Sequence, residues 1–124
     1  MVVGLGVDLV EIERVIAALG RWGERLVSRL MDPEEAALLP VEPAARAHAL
    51  ALAIAGKEAA SKAIGTGWSH GVRWRDVVVV LAPPSVRLLG RALAVAHELG
   101  STGRTSARLE RRGDLAVGEV RLLS

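Results

Sequence analysis

Residues 43–64 read PAARAHALALAIAGKEAASKAI, a run of alanine and leucine with no proline after Pro43 and one glycine, Gly56. Alanine and leucine are among the best helix formers, so the run predicts one helix of about six turns over Pro43–Ile64. The sequence Gly65-Thr66-Gly67 follows it, and a glycine just past the last helical residue commonly ends a helix. We expect the rest of the chain to pack on this long apolar helix.

The patterns on both sides of this helix predict shorter elements. Strands are predicted at Val2–Leu9, Asp76–Ala82, Val86–Leu89, Arg104–Leu109 and Leu115–Leu123, and helices at Glu11–Leu19, Arg21–Leu30 and Arg91–Leu99. A further short helix is predicted after Asp32, with Asp32 as N-cap and Glu35 closing a capping box. The pair Gly113-Asp114 indicates a hairpin turn. The predicted fold is one α+β domain over residues 1–124, with a mostly antiparallel sheet packed against the long helix.

The composition excludes several classes of protein. With 124 residues, of which 51% are hydrophobic and 24% charged, the chain has enough apolar surface to bury a core, so it is not disordered. The absence of cysteine excludes disulfides and thiolate sites. A net charge of +2 and an aromatic content of 2% give no support for nucleic-acid binding. No apolar run reaches the ~20 residues of a membrane span, and no leader is evident, so we expect a cytoplasmic protein without a membrane partner.

Three charged residues lie in apolar surroundings. Asp8 comes near the end of a predicted strand. Its carboxylate either caps the next helix or is a ligand in a metal or phosphate site. Glu58 and Lys62 are four residues apart and share one helix face, so they form either a surface salt bridge or part of a cleft. Gly65 and Thr66 follow where a phosphate could bind, provided that lysines supply the positive charge.

Two groups of arginines are candidate anion-binding surfaces: Arg14, Arg21, Arg25 and Arg29 near the N-terminus, and Arg104, Arg108, Arg111 and Arg112 near the C-terminus. The last three of the first group are spaced by four, so they line one face if the helix is continuous. That face is either solvated or docks an acidic protein partner. The three histidines have no spacing typical of metal ligands.

Two longer motifs carry a resemblance to a known family. Residues 4–14, GLGVDLVEIER, resemble the N-terminal motif of holo-acyl-carrier-protein synthases, the small trimeric class of 4′-phosphopantetheinyl transferases. Residues 56–67, GKEAASKAIGTG, resemble the second motif of that family, a helix with a KEAxxKAxGTG run. Trp74-Arg75-Asp76 and the segment Pro84–Gly90 resemble its later landmarks. The two motifs occur in the right order and at the right separation, and the resemblance spans nearly the whole chain.

The resemblance implies an activity and an assembly. Such enzymes transfer the phosphopantetheine arm of coenzyme A to a serine hydroxyl of apo acyl carrier protein and release 3′,5′-ADP. The implied reaction is Mg²⁺-dependent, and its active site lies between protomers of a homotrimer. The implied roles are Mg²⁺ binding by Asp8 and Glu58, serine deprotonation by Glu58 directly or through a metal-held water, and phosphate neutralisation by Lys62. The resemblance also implies coenzyme A contacts by Gly65, Thr66 and Arg111, and carrier-protein docking by Arg14, Arg21 and Arg25.

The chain departs from the family pattern at three places, one of which is Trp68-Ser69-His70-Gly71, where the local composition gives no adenine-side contacts to carry over. A Ser-x-Ser-His run is usual on the penultimate strand, where this chain has Arg108, Glu110 and Arg111. Arg111 could replace the positive charge of the histidine but not its proton chemistry. An arginine and an aromatic residue usually precede the KEA run, where this chain has Ala53 and Ile54. A second hypothesis is therefore a diverged homologue on the same trimeric scaffold, acting as a binding or regulatory module or on another small molecule.

Overall fold

The computed structural model describes residues 1–124. The elements follow in the order β1 (Val2–Glu11), α1 (Ile12–Trp22), α2 (Glu24–Leu30), α3 (Pro33–Ala36), α4 (Pro43–Ala63), β2 (Val77–Leu81), β3 (Pro84–Leu88), α5 (Gly90–Glu98), β4 (Thr105–Arg112) and β5 (Leu115–Leu123). Strands β1, β5 and β4 form one sheet in that order, β2 and β3 form a second, and every pairing is antiparallel. The predicted α+β class is confirmed, with two antiparallel sheets in place of one.

Helix α4 lies at the centre of the fold, as its apolar composition predicts. It ends at Ala63, one residue before the predicted end, and Gly65 follows in the left-handed conformation at φ 82°. Residues on all sides of the helix are buried, because α4 packs against β1, β5, α1 and β2. None of the helices combines the length and the hydropathy that crossing a bilayer requires.

The three-stranded sheet approaches α4 so closely that only glycine fits at the contact. A Cβ on Gly6 would lie 1.8 Å from the carbonyl oxygen of Ala59, and a Cβ on Gly118 would lie 2.5 Å from that of Ala55. Gly4 repeats the contact one turn further along the helix. The strand glycines and the small helix residues thus allow the two backbones to touch. As a result, neighbouring side chains of β1 can contact side chains of α4.

The N-terminal helices break at a different place from the predicted one. The prediction separated Glu11–Leu19 from Arg21–Leu30, whereas α1 continues through Arg21 to Trp22. The chain then turns at Gly23, whose φ of 57° is left-handed and therefore suits glycine. Since the two helices are separate, the N-terminal arginines do not line one continuous helix face.

The predicted capping box of α3 is wrong in one of its two halves. Asp32 Oδ1 accepts the N–H of Glu35 at 2.9 Å, as an N-cap should. The carboxylate of Glu35 does not return to the cap. It points into the core, where it accepts from Lys57 Nζ at 2.9 Å and from the N–H of Val79 at 2.9 Å.

The Lys57–Glu35 pair is a fully buried ion pair. Its side chains are 0% and 2% exposed, and Lys57 also donates to the carbonyl groups of Trp74 and Val77. Burial lowers the pKa of Lys57, and the Glu35 carboxylate opposes that change. Removing one partner of such a pair typically costs about 3–5 kcal/mol, because a buried charge stays uncompensated. The pair therefore ties α3 and β2 to the central helix.

The strand predictions are right in position and inexact in length. Asp76, predicted as the first residue of β2, lies in a 3₁₀ turn over Trp74–Asp76, where its carboxylate accepts the N–H of Arg73 at 2.9 Å. Strands β1 and β4 run two and three residues past their predicted ends. Strand β3 begins at Pro84, two residues earlier than predicted. The hairpin turn at Gly113-Asp114 is confirmed.

Candidate active site

Asp8 and Lys62 meet where β1 crosses α4. Asp8 lies on the α4 side of β1, and its Oδ1 accepts from Lys62 Nζ at 2.7 Å. Lys62 Nζ lies 3.3 Å from the carbonyl oxygen of Val7 as well. Asp8 caps no helix, because the N-cap of α1 is Glu11, without a side-chain cap bond. Of the two sequence-based alternatives for Asp8, the helix cap is therefore wrong.

Glu58 and Lys62 do not form a salt bridge with each other. Lys62 turns to Asp8, and Glu58 Oε2 accepts from the indole Nε1 of Trp68 at 3.2 Å. Glu58 is half-buried, and this burial raises its pKa; the negative charge of Asp8 adds to the rise, while the Trp68 hydrogen bond and Lys62 oppose it. The hydrogen bond to Asp8 raises the pKa of Lys62, so its ammonium group is held in the charged form.

These three side chains give two carboxylates and one ammonium group at a single edge of α4. Nowhere do three or more His, Cys, Asp or Glu side chains gather in a metal-binding group. A divalent ion at this edge would therefore take Asp8 and Glu58 and fill its remaining positions with oxygens of a substrate or of water. Hard carboxylate oxygens in small number suit Mg²⁺, which keeps several waters and binds substrate phosphates. The donor set thus fits Mg²⁺.

The turn after α4 contains the predicted phosphate contacts Gly65 and Thr66. The N–H of Gly65 donates to the backbone carbonyl of Lys62 at 3.0 Å, and the N–H of Gly67 donates to that of Ser61 at 3.1 Å. Both glycine amides therefore form the hydrogen bonds that end the helix. The hydroxyl of Thr66 donates to the carbonyl of Gly67 at 2.9 Å. The amide of Thr66 is left as the free backbone donor of this turn.

Arg111 lies near the hairpin end of the same sheet. In the strand register it stands opposite Ala116, which in turn stands opposite Val10. Val10 is two residues after Asp8 in β1, roughly 7 Å along the strand, and projects to the same face. Arg111 is therefore on the α4 side of the sheet, next to the position of Asp8. Arg111 is exposed, and its Nε donates to the carbonyl of Gly113 at 2.8 Å. Its guanidinium is therefore accessible to an anion from solvent.

The N-terminal arginines form a basic surface around a tryptophan that the sequence analysis did not single out. The guanidinium carbons of Arg21 and Arg25 lie 5.2 and 5.7 Å from the centre of the Trp22 ring. Trp22 is 47% exposed and lines a groove with Arg25 and Arg29. Arg14 lies about two helical turns before Trp22. It is exposed, and its Nε lies 3.5 Å from Glu11 Oε2. The sequence analysis identified the arginines of this surface, but the only sequence signal for Trp22 was its position next to Arg21.

Trp68 is the second residue that sequence reasoning missed. Its ring stacks on that of Trp74, with centroids 3.9 Å apart and planes 19° from parallel. The sequence places Trp68 just after the Gly-Thr-Gly turn, but the pattern does not reveal that the turn folds the indole back onto Glu58, ten residues earlier.

Comparison with known proteins identifies the family. The model of the 4′-phosphopantetheinyl transferase superfamily matches residues 4–115. A holo-[acyl-carrier-protein] synthase of Acidithiobacillus ferrooxidans is 44% identical over 122 residues, which cover 94% of this chain and 95% of that protein. Both motifs on which the resemblance rested lie within the matched region.

Solved structures share the fold. The holo-[acyl-carrier-protein] synthase of Neisseria meningitidis superposes with a TM-score of 0.75 at 27% identity over 100% of both chains. A holo-(acyl-carrier-protein) synthase of Bacillus anthracis, solved in complex with CoA (3′,5′-ADP), gives a TM-score of 0.73 at 25% identity and covers 100% of this chain and 98% of that one. This chain belongs to the holo-[acyl-carrier-protein] synthases of the 4′-phosphopantetheinyl transferase superfamily.

Proposed function

We propose that this protein transfers the 4′-phosphopantetheine group of coenzyme A to a serine of apo acyl carrier protein in an Mg²⁺-dependent reaction at Asp8, Glu58 and Lys62. The observation that carries the proposal is the meeting of these residues at the contact between β1 and α4, with Lys62 Nζ 2.7 Å from Asp8 Oδ1. Family membership supports the transfer itself, and the donor set supports Mg²⁺. We propose the cytoplasm as the place of the reaction.

The chemistry explains why two acids and one lysine suffice. The serine oxygen forms a bond to the β-phosphorus of coenzyme A, the bond from that phosphorus to the bridging oxygen breaks, and 3′,5′-ADP leaves with the negative charge. Asp8 and Glu58 would hold Mg²⁺, which would supply positive charge to the pyrophosphate when bound. Lys62 exchanges its bond to Asp8 for a phosphate oxygen, whose negative charge replaces that of the Asp8 carboxylate in keeping the ammonium group protonated. Glu58 accepts the serine proton, directly or through a water that the metal ion would hold.

The remaining phosphate contacts are assigned to the turn after α4 and to β4. In the proposal, the backbone of Gly65 and Thr66 faces the phosphates, with the free amide of Thr66 as the donor. Arg111 supplies a further positive charge from the strand where the family usually has a histidine. Since Arg111 is always charged, it can bind an anion but cannot move a proton.

Intact-protein mass spectrometry tests the transfer. The protein is incubated with coenzyme A, Mg²⁺ and an apo acyl carrier protein, and the expected result is a mass gain of one phosphopantetheine on the carrier that is absent with EDTA. A gain of the same size with EDTA would contradict the metal requirement. No gain with any of several carriers would favour the diverged homologue and would point to Arg108, Glu110 and Arg111 as the positions where the chemistry was lost.

The basic surface around Trp22 is the proposed dock for the carrier protein. Arg14, Arg21 and Arg25 present positive charge to an acidic helix of the carrier, and the exposed Trp22 ring offers an apolar contact at the centre of that charge. Charges at the rim of an interface mainly affect the rate of association, while a buried aromatic residue contributes most to affinity.

Reversal of charge at this surface tests the dock. We expect Arg25→Glu to raise the KM for the carrier protein by about 10-fold or more, with kcat and the KM for coenzyme A unchanged, because like charges then face each other. The control is Arg87→Glu, an exposed arginine on β3 that makes no ion pair. Equal effects of the two changes would show that only net charge matters and would remove the dock from this surface.

A homotrimer is the proposed assembly, formed through the outer face of the three-stranded sheet. Leu5, Val7 and Leu9 project from β1 away from α4 and are 57%, 47% and 59% exposed. Three large apolar side chains in one row on a sheet are unusual on a free surface and are typical of an interface. We propose that other copies of the chain cover this row and place the active site between protomers.

Lysines in this row should dissociate the trimer. The variant Leu5→Lys/Leu9→Lys is expected to elute as a monomer, and the unchanged protein as a species of three times the 13.1 kDa chain mass, in light scattering after gel filtration. The matched control is Leu38→Lys/Val41→Lys, which changes two more exposed apolar residues, at 71% and 90%, outside the sheet. A monomeric unchanged protein, or a control that dissociates as well, would contradict the proposed interface.

A further inference from the structure

The indole of Trp68 holds one of the two carboxylate oxygens of Glu58. Its Nε1 lies 3.2 Å from Glu58 Oε2, and no other hydrogen bond reaches this carboxylate. Lys62, one helical turn away, donates to Asp8 and to the carbonyl of Val7 instead. Glu58 Oε1 is therefore free for another partner, while Oε2 is fixed.

The turn after α4 brings the indole to this place. Gly67 has a left-handed φ of 57°, and its N–H donates to the carbonyl of Ser61 at 3.1 Å. The chain is thereby reversed at the end of α4, and the residue that follows, Trp68, returns along the helix to Glu58. The position of the indole is thus set by backbone geometry.

The stack with Trp74 fixes the plane of the indole. The ring centres are 3.9 Å apart, and the carbonyl of Trp74 accepts from Lys57 Nζ at 3.1 Å. Lys57 is the neighbour of Glu58 in the helix and is itself anchored by the buried Glu35. The ring and the carboxylate that it contacts are consequently tied to the same rigid part of α4.

We infer that Trp68 is a positioning residue that orients Glu58, with Oε2 on the indole N–H and Oε1 directed to the metal ion. The inference rests on the proposed role of Glu58 as a ligand of Mg²⁺. Carboxylates that bind metals are themselves generally held by a hydrogen bond, and loss of that bond typically weakens metal affinity by ~10–100-fold. Trp68 is not proposed to touch substrate or to take part in proton transfer.

Trp68→Phe tests the inference, because it keeps a ring on Trp74 and removes the N–H. Calorimetry with MgCl₂ is performed on protein saturated with coenzyme A and without carrier protein, so that no turnover occurs. We expect the Mg²⁺ dissociation constant to rise about 10-fold, and the Mg²⁺ concentration for half-maximal transfer to rise in parallel, with kcat at saturating Mg²⁺ near that of the unchanged protein. The matched control is Trp74→Phe, which keeps the stack and removes no donor from Glu58.

Nuclear magnetic resonance gives a second readout that needs neither metal nor a folded Trp68 variant. The indole N–H resonance of Trp68 should shift in Glu58→Ala, and that of Trp22 should not. An unshifted Trp68 resonance would overturn the inference. An unchanged Mg²⁺ affinity in Trp68→Phe, or an equal loss in Trp74→Phe, would overturn it too, while leaving Glu58 as a ligand. If the unchanged protein binds no Mg²⁺ with coenzyme A, the proposed metal role and the inference both fail.

Discussion

Glu58→Gln is expected to lower the rate of phosphopantetheine transfer by at least ~100-fold. The amide keeps the shape of the side chain and can still accept from Trp68, but it loses the charge that binds Mg²⁺ and the capacity to take the serine proton. Both losses act where charge develops in the transition state, so kcat should fall more than KM rises. The measurement is the initial rate of holo carrier protein formation at saturating Mg²⁺ and coenzyme A.

The same substitution should stabilise the metal-free protein at neutral pH. Burial and Asp8 raise the pKa of Glu58 in the folded state. The folded protein therefore holds this proton more tightly than the unfolded chain, and stability falls as pH rises from the unfolded pKa, about 4.3, through the folded value. Glutamine removes this loss, so the free energy of unfolding should be higher than that of the unchanged protein at pH 7 and equal to it well below pH 4. Thermal unfolding in EDTA at both pH values measures it.

Glu98→Gln is the matched control, because Glu98 is an exposed glutamate on α5 that pairs only with Arg91 at the surface. It should leave transfer and the stability difference between the two pH values unchanged. Full activity of Glu58→Gln would contradict the proposed roles of Glu58 as metal ligand and base. A loss of activity together with a loss of stability would show that the substitution damages the fold rather than the site.

Gly6→Ala is expected to destabilise the fold by more than about 3 kcal/mol. The new Cβ would lie 1.8 Å from the backbone carbonyl oxygen of Ala59. The backbone fixes the position of a Cβ, so no side-chain rotation can relieve this clash. Strand β1 would have to move off α4, which would separate Asp8 from Lys62 as well. Since a domain of this size is stable by roughly 5–15 kcal/mol, most of its stability is at risk. Urea unfolding followed by circular dichroism measures the change.

Gly20→Ala is the control for this prediction. Gly20 lies in α1, and a Cβ on it would meet nothing within 4 Å. Alanine should therefore raise the free energy of unfolding by roughly 0.5–1 kcal/mol through better helix propensity. If Gly6→Ala is as stable as the unchanged protein, the backbones of β1 and α4 are not in contact at Gly6 and Ala59.

The long helix shows what local sequence can predict. Its start and end were predicted to within one residue, because helix propensity, Pro43 and Gly65 act over a few residues. The same holds for the hairpin at Gly113-Asp114. The break between α1 and α2 was placed three residues too early, since Gly20 and Gly23 are equally plausible breakers by composition and only the second adopts a left-handed φ.

The buried pair shows where local reasoning fails. Glu35 matches a capping box three residues after Asp32, and its sequence neighbours give no other indication. Its partner, Lys57, is 22 residues away, and the two charges compensate each other only in the folded core, where both are buried. The tryptophan contacts are of the same kind, since Trp68 reaches Glu58 only after the turn at Gly67 has reversed the chain.

The sequence by itself determined the α+β class, the central helix and two motifs that resemble one enzyme family, because these depend on residue type and spacing along the chain. The tertiary structure alone decided which charges meet. Asp8 forms an ion pair with Lys62 and does not cap a helix, because Gly6 allows β1 to contact the backbone of α4. Such pairings depend on how closely separate elements approach, and that distance is set by packing across the core rather than by neighbours in sequence.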